Sequence, residues 1–157
     1  MKKINFLIIT LVVILFVACK KNTTSTPDPK SHWTFDGIEY KGYAMSHPLG
    51  NVFDASEGYL GNSSNLGLIV SIRFSSGVPT KSVILKVKKG ASDNSECAVS
   101  AGFYGSNSQE YTSSDGGEEV TITVSSSGKL TASFSNISLS SYGGATTKML
   151  SGVLIEQ

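Results

Sequence analysis

An all-β domain is what this sequence predicts, in the form of an antiparallel β-sandwich of about eight or nine strands, with an open β-barrel as the second choice. Three observations predict it. Short runs in which apolar and polar residues alternate recur along the chain, separated by glycine, asparagine and serine turn material at fairly regular spacing. Nothing past residue 20 keeps a 3.6-residue apolar period over the length of a helix. The charged fraction is only 16% and there are 16 glycines, a composition that fits a polar, turn-rich extracytoplasmic β protein better than a cytoplasmic enzyme.

The chain divides into three parts: a leader over 1–18, a tether over 19–31 and one folded domain over 32–157. Lys2 and Lys3 precede an apolar run from Ile4 to Ala18 that only Asn5 and Thr10 interrupt, the layout of an export signal. The run stops short of the roughly 20 residues a spanning helix requires. It ends in Phe16-Val17-Ala18-Cys19, where small Ala18 precedes the cysteine as in a lipobox. Cleavage before Cys19 and acylation of its sulfur are expected; the alternative is an uncleaved signal anchor with a plain thiol. Each buried acyl methylene contributes about 0.8 kcal/mol, so two or three chains on Cys19 hold the protein firmly to a bilayer. Lys20 to Ser31 then carries no apolar side chain and two prolines, which makes it a disordered polar tether. A dozen residues reach at most about 40 Å.

The domain opens on Trp33-Thr34-Phe35-Asp36-Gly37-Ile38-Glu39-Tyr40, a hairpin signal in which Asp-Gly forms the two-residue turn. That register pairs Phe35 with Ile38 and Trp33 with Tyr40 on one face, and Thr34 with Glu39 on the other. Tyr43 to Asn65 is less regular and reads as loop material around short strands at Val52-Phe53 and Tyr59-Leu60. Leu68, Val70, Ile72 and Phe74 face inward on the next strand; Val83, Leu85 and Val87 follow after a Ser76-Gly77-Val78-Pro79 turn. Lys86, Lys88 and Lys89 read as the solvated face of that strand. The strand Cys97 to Tyr104 follows Asp93-Asn94-Ser95, and Ser106 to Gly117 reads as a polar loop. A second hairpin joins Val120–Val124 to Leu130–Phe134 through Ser126-Ser127-Gly128. The inward positions then change parity at Ile137 and Leu139, which predicts a bulge near Ser135-Asn136. Tyr142-Gly143-Gly144 turns the chain into a last strand from Thr147 to Ile155.

Charge excludes one class of partner. Lys+Arg number 13 and Asp+Glu 12, without the clustered basic footprint that nucleic-acid binding requires. Histidines His32 and His47 have no partner at metal-ligand spacing, so neither a zinc site nor any other cofactor is expected. The acidic loops Asp93-Asn94-Ser95-Glu96 and Asp115-Gly116-Gly117-Glu118-Glu119 lack the alternating ligand spacing of a calcium loop. Glu118 and Glu119, adjacent in a β segment, point to opposite faces and make a poor glycosidase pair. No nucleophile elbow or phosphate-cradling glycine loop occurs. With Cys19 assigned to lipid, Cys97 has no disulfide partner and reads as a buried apolar thiol.

The lipobox Cys19, the polar tether, the Trp33-Thr34-Phe35-Asp36-Gly37 hairpin, the Val120-Thr121-Ile122-Thr123 strand, Phe134 and the terminal Leu150-Ser151-Gly152-Val153 strand together resemble small Bacteroidetes-type outer-membrane lipoproteins of unassigned function. The resemblance spans nearly the whole chain and brings no catalytic residues with it. It implies outer-membrane sorting, because Lys20 rather than aspartate follows the cysteine; the acidic residues common after the cysteine in surface-displayed members are missing from Lys20-Lys21-Asn22, and either side of the membrane stays open. The expected function is a non-enzymatic module, tethered to the lipid bilayer through acylated Cys19, that binds a glycan or an envelope protein through Tyr43–Asn65 and Ser106–Gly117. The alternatives are an assembly component that pairs through an exposed sheet edge and an envelope hydrolase. Exposed aromatics would favour the glycan and an uncovered edge strand assembly; a cleft bringing His32 or His47 to a carboxylate and a serine would favour the hydrolase.

Overall fold

The computed structural model describes residues 28–58, 67–104 and 108–157. The leader, Cys19, the tether as far as residue 27 and the Tyr59-Leu60 strand lie outside the described residues. The domain is all-β. Its strands are β1 (Ser31–Phe35), β2 (Ile38–His47), β3 (Val52–Ser56), β4 (Leu68–Phe74), β5 (Val83–Val87), β6 (Glu96–Phe103), β7 (Gln109–Ser113), β8 (Glu119–Val124), β9 (Leu130–Ser141) and β10 (Thr147–Ile155). There are ten rather than eight or nine, joined in a single mixed sheet.

The opening hairpin forms in the expected register, Trp33 opposite Tyr40, Thr34 opposite Glu39 and Phe35 opposite Ile38. Its turn places Asp36 at φ 54° and Gly37 at φ 80°, the pair of left-handed conformations that a two-residue turn of this hand demands. The second hairpin pairs Val120 with Phe134 and Val124 with Leu130. The bulge also falls where the change of parity puts it. Leu150 pairs with Ile137 but Gly152 with Phe134, and Asn136 takes up the extra residue at φ 53°, so both Phe134 and Ile137 face inward and are buried.

Six strands follow one another antiparallel in the order β10, β1, β2, β3, β4, β6, and β9 pairs with the outer side of β10. Between β6 and β9 the wall forks. One branch runs through β5 and β8, the other through β7. The sheet therefore closes on itself by two routes and is not a clean barrel. Each described strand has a neighbour on both sides for part of its length, but Ile38–Gly42 of β2 pairs only with β1 and Val83–Leu85 of β5 only with β8, so among the described residues the open edge is limited to short stretches. The β5–β6 pairing, Lys86 with Glu96 and Val87 with Cys97, is parallel, a correction to the purely antiparallel expectation.

At the fork, buried Ser113 holds the branches together. Its hydroxyl donates to the Lys88 carbonyl at 2.6 Å and accepts from the Val99 amide at 3.0 Å, satisfying backbone groups that the divergence of β5 from β7 would leave unpaired. All ten strands supply the core, from Trp33 and Phe35 to Leu150 and Leu154. Cys97 is buried within it, and burial pushes its thiol up to about 12, which leaves it protonated and inert.

Two segments read as loops from the sequence are strands. Gln109–Ser113 is β7, and Tyr43–His47 continues β2. In the first, Tyr111 is the one large inward side chain and inward Ser113 is polar. In the second, inward Ala44 is too small to mark a period, and at Gly42 just before it the Ser56 carbonyl and the indole of Trp33 occupy the space a side chain would fill.

The strands define two ends. The chain enters at Asp28–Ser31, where the Gln157 side-chain amide donates to the Asp28 carbonyl at 2.7 Å and Ser31 bonds with Ile155. Glu156 locks this entry end: it accepts from the Ser46 amide and hydroxyl and, at 2.8 Å, from the Leu130 amide. The β2–β3, β4–β5 and β8–β9 connections share the entry end. At the far end lie the Asp36-Gly37 turn and the β3–β4, β6–β7 and β9–β10 connections.

Candidate functional site

The alternation that sends Phe53, Val70, Ile72, Val99 and Tyr111 into the core sends their neighbours to the outer face. Register then sets Asp54, Ser71, Ser100 and Thr112 in one row across β3, β4, β6 and β7, with Val52, Arg73 and Ala98 in the next row toward the entry end. These short side chains form a floor. A wall comes from the β5–β6 connection, which folds back over the outer face, fixed by Ser75 Oγ donating to the Asp93 carbonyl at 2.6 Å and by the Lys89 amide donating to Asp115 at 3.1 Å. Lys89, Gly90 and Ala91 line that side, and Tyr104 and Glu110 stand at the other end. The open groove between them has a volume of about 700 Å³.

The charges around it are balanced, Arg73 and Lys89 against Asp54 and Glu110. Among the described residues, the guanidinium of Arg73, the ammonium of Lys89, the carboxylate of Glu110 and the hydroxyl of Tyr104 make no hydrogen bond or ion pair, so their bonding capacity faces the groove unspent. Tyr104 nevertheless feels the charges of Glu110, Asp54 and Arg73. Burial, then the fields of Glu110 and Asp54, raise the Tyr104 hydroxyl above its ordinary pKa, with Arg73 opposing. One Asp54 oxygen is buried without a hydrogen-bond partner, and the other lies 3.6 Å from Nε2 of His47.

The groove draws on both segments nominated from the sequence, Asn51, Val52 and Asp54 from the first and Glu110 and Thr112 from the second, but chiefly through strand residues. Sequence reasoning missed Arg73, Ser71, Ser100 and Tyr104. The signal was present in Leu68–Phe74, where the same alternation that marks the core leaves Ser71 and Arg73 outside.

The other candidates do not converge. His32 is exposed on β1 opposite Lys41, while His47 ends β2. His47 does meet a carboxylate, but the nearby Ser46 hydroxyl is committed to Glu156, and among the described residues no serine bonds to the imidazole. Asp93 accepts from the amide and hydroxyl of Ser95, which hold its carboxyl below the usual range, and Glu96 accepts from Ser92 in the same way. Glu118 accepts from the Ser138 amide. No group of three or more potential ligands that could hold a metal ion occurs among the described residues. No family model matches the chain, and no curated protein or solved structure is significantly similar to it.

Proposed function

We propose that this protein is a cell-envelope lipoprotein, held to the membrane by acylated Cys19, that binds a glycan non-enzymatically in the groove across β3, β4, β6 and β7. The observation that carries the reading is the convergence of Arg73, Lys89, Glu110 and Tyr104, all unpaired, on one concave polar surface. Sugar hydroxyls both donate and accept, and a guanidinium beside carboxylates and short hydroxyl side chains answers both roles. The ring of Tyr104, 63% exposed, offers an apolar face with a polar tip. The balance of charge favours a neutral or zwitterionic saccharide over a polyanion.

A protein partner is the second reading, favoured by exposed Ile38, Phe103, Tyr142 and Met149 toward the far end. Assembly through a sheet edge is disfavoured because the open stretches, Ile38–Gly42 and Val83–Leu85, are short.

The test is binding of the full-length, detergent-solubilised protein to immobilised neutral and acidic oligosaccharides. Wild type retains a neutral saccharide, and Arg73→Ala and Tyr104→Ala each weaken it about tenfold or more, the scale of one hydrogen bond to a charged group. Ser127→Ala, in the β8–β9 turn, leaves binding unchanged. Failure to retain any saccharide, or unaltered binding by Arg73→Ala, contradicts the reading.

A further inference from the structure

We infer that the entry end of the domain rests against the anionic headgroups of the same bilayer that holds the lipid anchor. The inference builds on the anchoring proposed above and adds an orientation to it. The tether leads into the domain at Asp28–Ser31, so a chain of about a dozen residues, no more than about 40 Å when extended, keeps this end the nearer to the membrane.

The end itself suits that neighbour. Leu49 stands fully exposed at the tip of the β2–β3 connection. The tip lies beside the β4–β5 connection, where the Phe74 amide donates to the Asn51 carbonyl at 2.8 Å. The β4–β5 connection carries Lys81 and meets the β8–β9 turn, where Ser82 accepts from the Val124 amide at 3.0 Å. Lys129 lies in that turn, next to the Glu156 latch and the incoming chain. Lys30, Lys81 and Lys129 thus lie in segments that share the entry end with the exposed leucine. The acids at this end are Asp28 and Glu156, and the Glu156 carboxylate is already engaged by three donors. Asp93 and Glu96 lie on the adjoining side wall, occupied by Ser95 and Ser92.

The far end has the opposite character. Asp36, Glu39, Glu57 and Glu110 lie toward it, and its Lys148 is paired with Asp36 at 2.8 Å. An anionic surface therefore attracts one end and repels the other. Basic residues act this way only within a Debye length of the lipid, and an apolar tip among them is the pattern of an interfacial contact.

The experiment uses the full-length mature lipoprotein in vesicles of phosphatidylethanolamine and phosphatidylglycerol, with a fluorophore on a cysteine introduced by Gly50→Cys, where a side chain has room, or by Tyr142→Cys at the far end. Buried Cys97 and acylated Cys19 stay unlabelled. Lipids carrying a quencher near the headgroup should quench the label at position 50 at least threefold more than the label at 142. The difference should disappear in phosphatidylcholine vesicles and in the Lys81→Glu, Lys129→Glu variant. Equal quenching at both positions in protein that floats with the vesicles overturns the docked orientation alone. Protein that does not float overturns the anchoring as well.

Discussion

Gly42→Ala should lower the melting temperature of the domain by roughly 10 °C or more, equivalent to about 3 kcal/mol for a domain of this size. Gly42 lies on β2 beside β3, and a Cβ placed there would overlap the carbonyl group of Ser56 and come within 2.8 Å of Cη2 of Trp33. The first obstacle is backbone in the neighbouring strand, so relief requires β2 and β3 to separate. Overpacking that a side chain can absorb costs about 1–3 kcal/mol, and this clash exceeds that case. Gly90→Ala is the control, because a Cβ at Gly90 meets nothing within 4 Å. Thermal unfolding followed by circular dichroism should separate the two variants clearly; equal melting temperatures would show that β2 does not run so close to β3.

Trp33→Ala should cost about 3–5 kcal/mol, the scale for emptying a large aromatic site. Trp33 is 2% exposed, stacks on Tyr40 with ring centroids 6.1 Å apart and an interplanar angle of 10°, and packs over Gly152, where a Cβ would fall 2.5 Å from Cβ of Trp33. Its indole nitrogen is buried without a hydrogen-bond partner. An unsatisfied buried donor costs about 1–3 kcal/mol, so Trp33→Phe, which removes the donor and keeps most of the ring, should lose less than half of what alanine loses. Urea unfolding of the three proteins measures this. A phenylalanine variant as unstable as the alanine variant would mean that the indole nitrogen has a partner in solution.

The parts of the fold legible in the sequence are those written in adjacent residues. Asp36-Gly37 fixed a turn because few other pairs adopt left-handed backbone twice in succession, and the change of parity between Phe134 and Ile137 located a bulge because a pleated strand cannot skip a face. What stayed hidden depends on residues far apart. β7 carries one large inward side chain, and its inward serine serves the backbone of β5 and β6. Gly42 of β2 has meaning only against the Ser56 carbonyl of β3 and the indole that arrives from β1. The parallel contact of Val87 with Cys97 leaves no local trace.

The groove was half legible for the same reason. Alternation marks Arg73 and Ser71 as outward, but only the register of four strands sets them beside Asp54, Ser100 and Thr112, and only the fold-back of the β5–β6 connection turns a flat face into a concave one. The adjacent Glu118 and Glu119, expected from strand alternation to point to opposite faces, do part: Glu118 turns to the Ser138 amide while Glu119 is exposed on β8.

Anchoring through Cys19 underlies both the proposed role and the docked orientation, and the mass of the intact protein purified from envelopes tests it most directly. The expected mass is that of a chain that begins at Cys19 and carries two or three acyl chains. A chain that retains Met1 and has an unmodified thiol at Cys19 would contradict it.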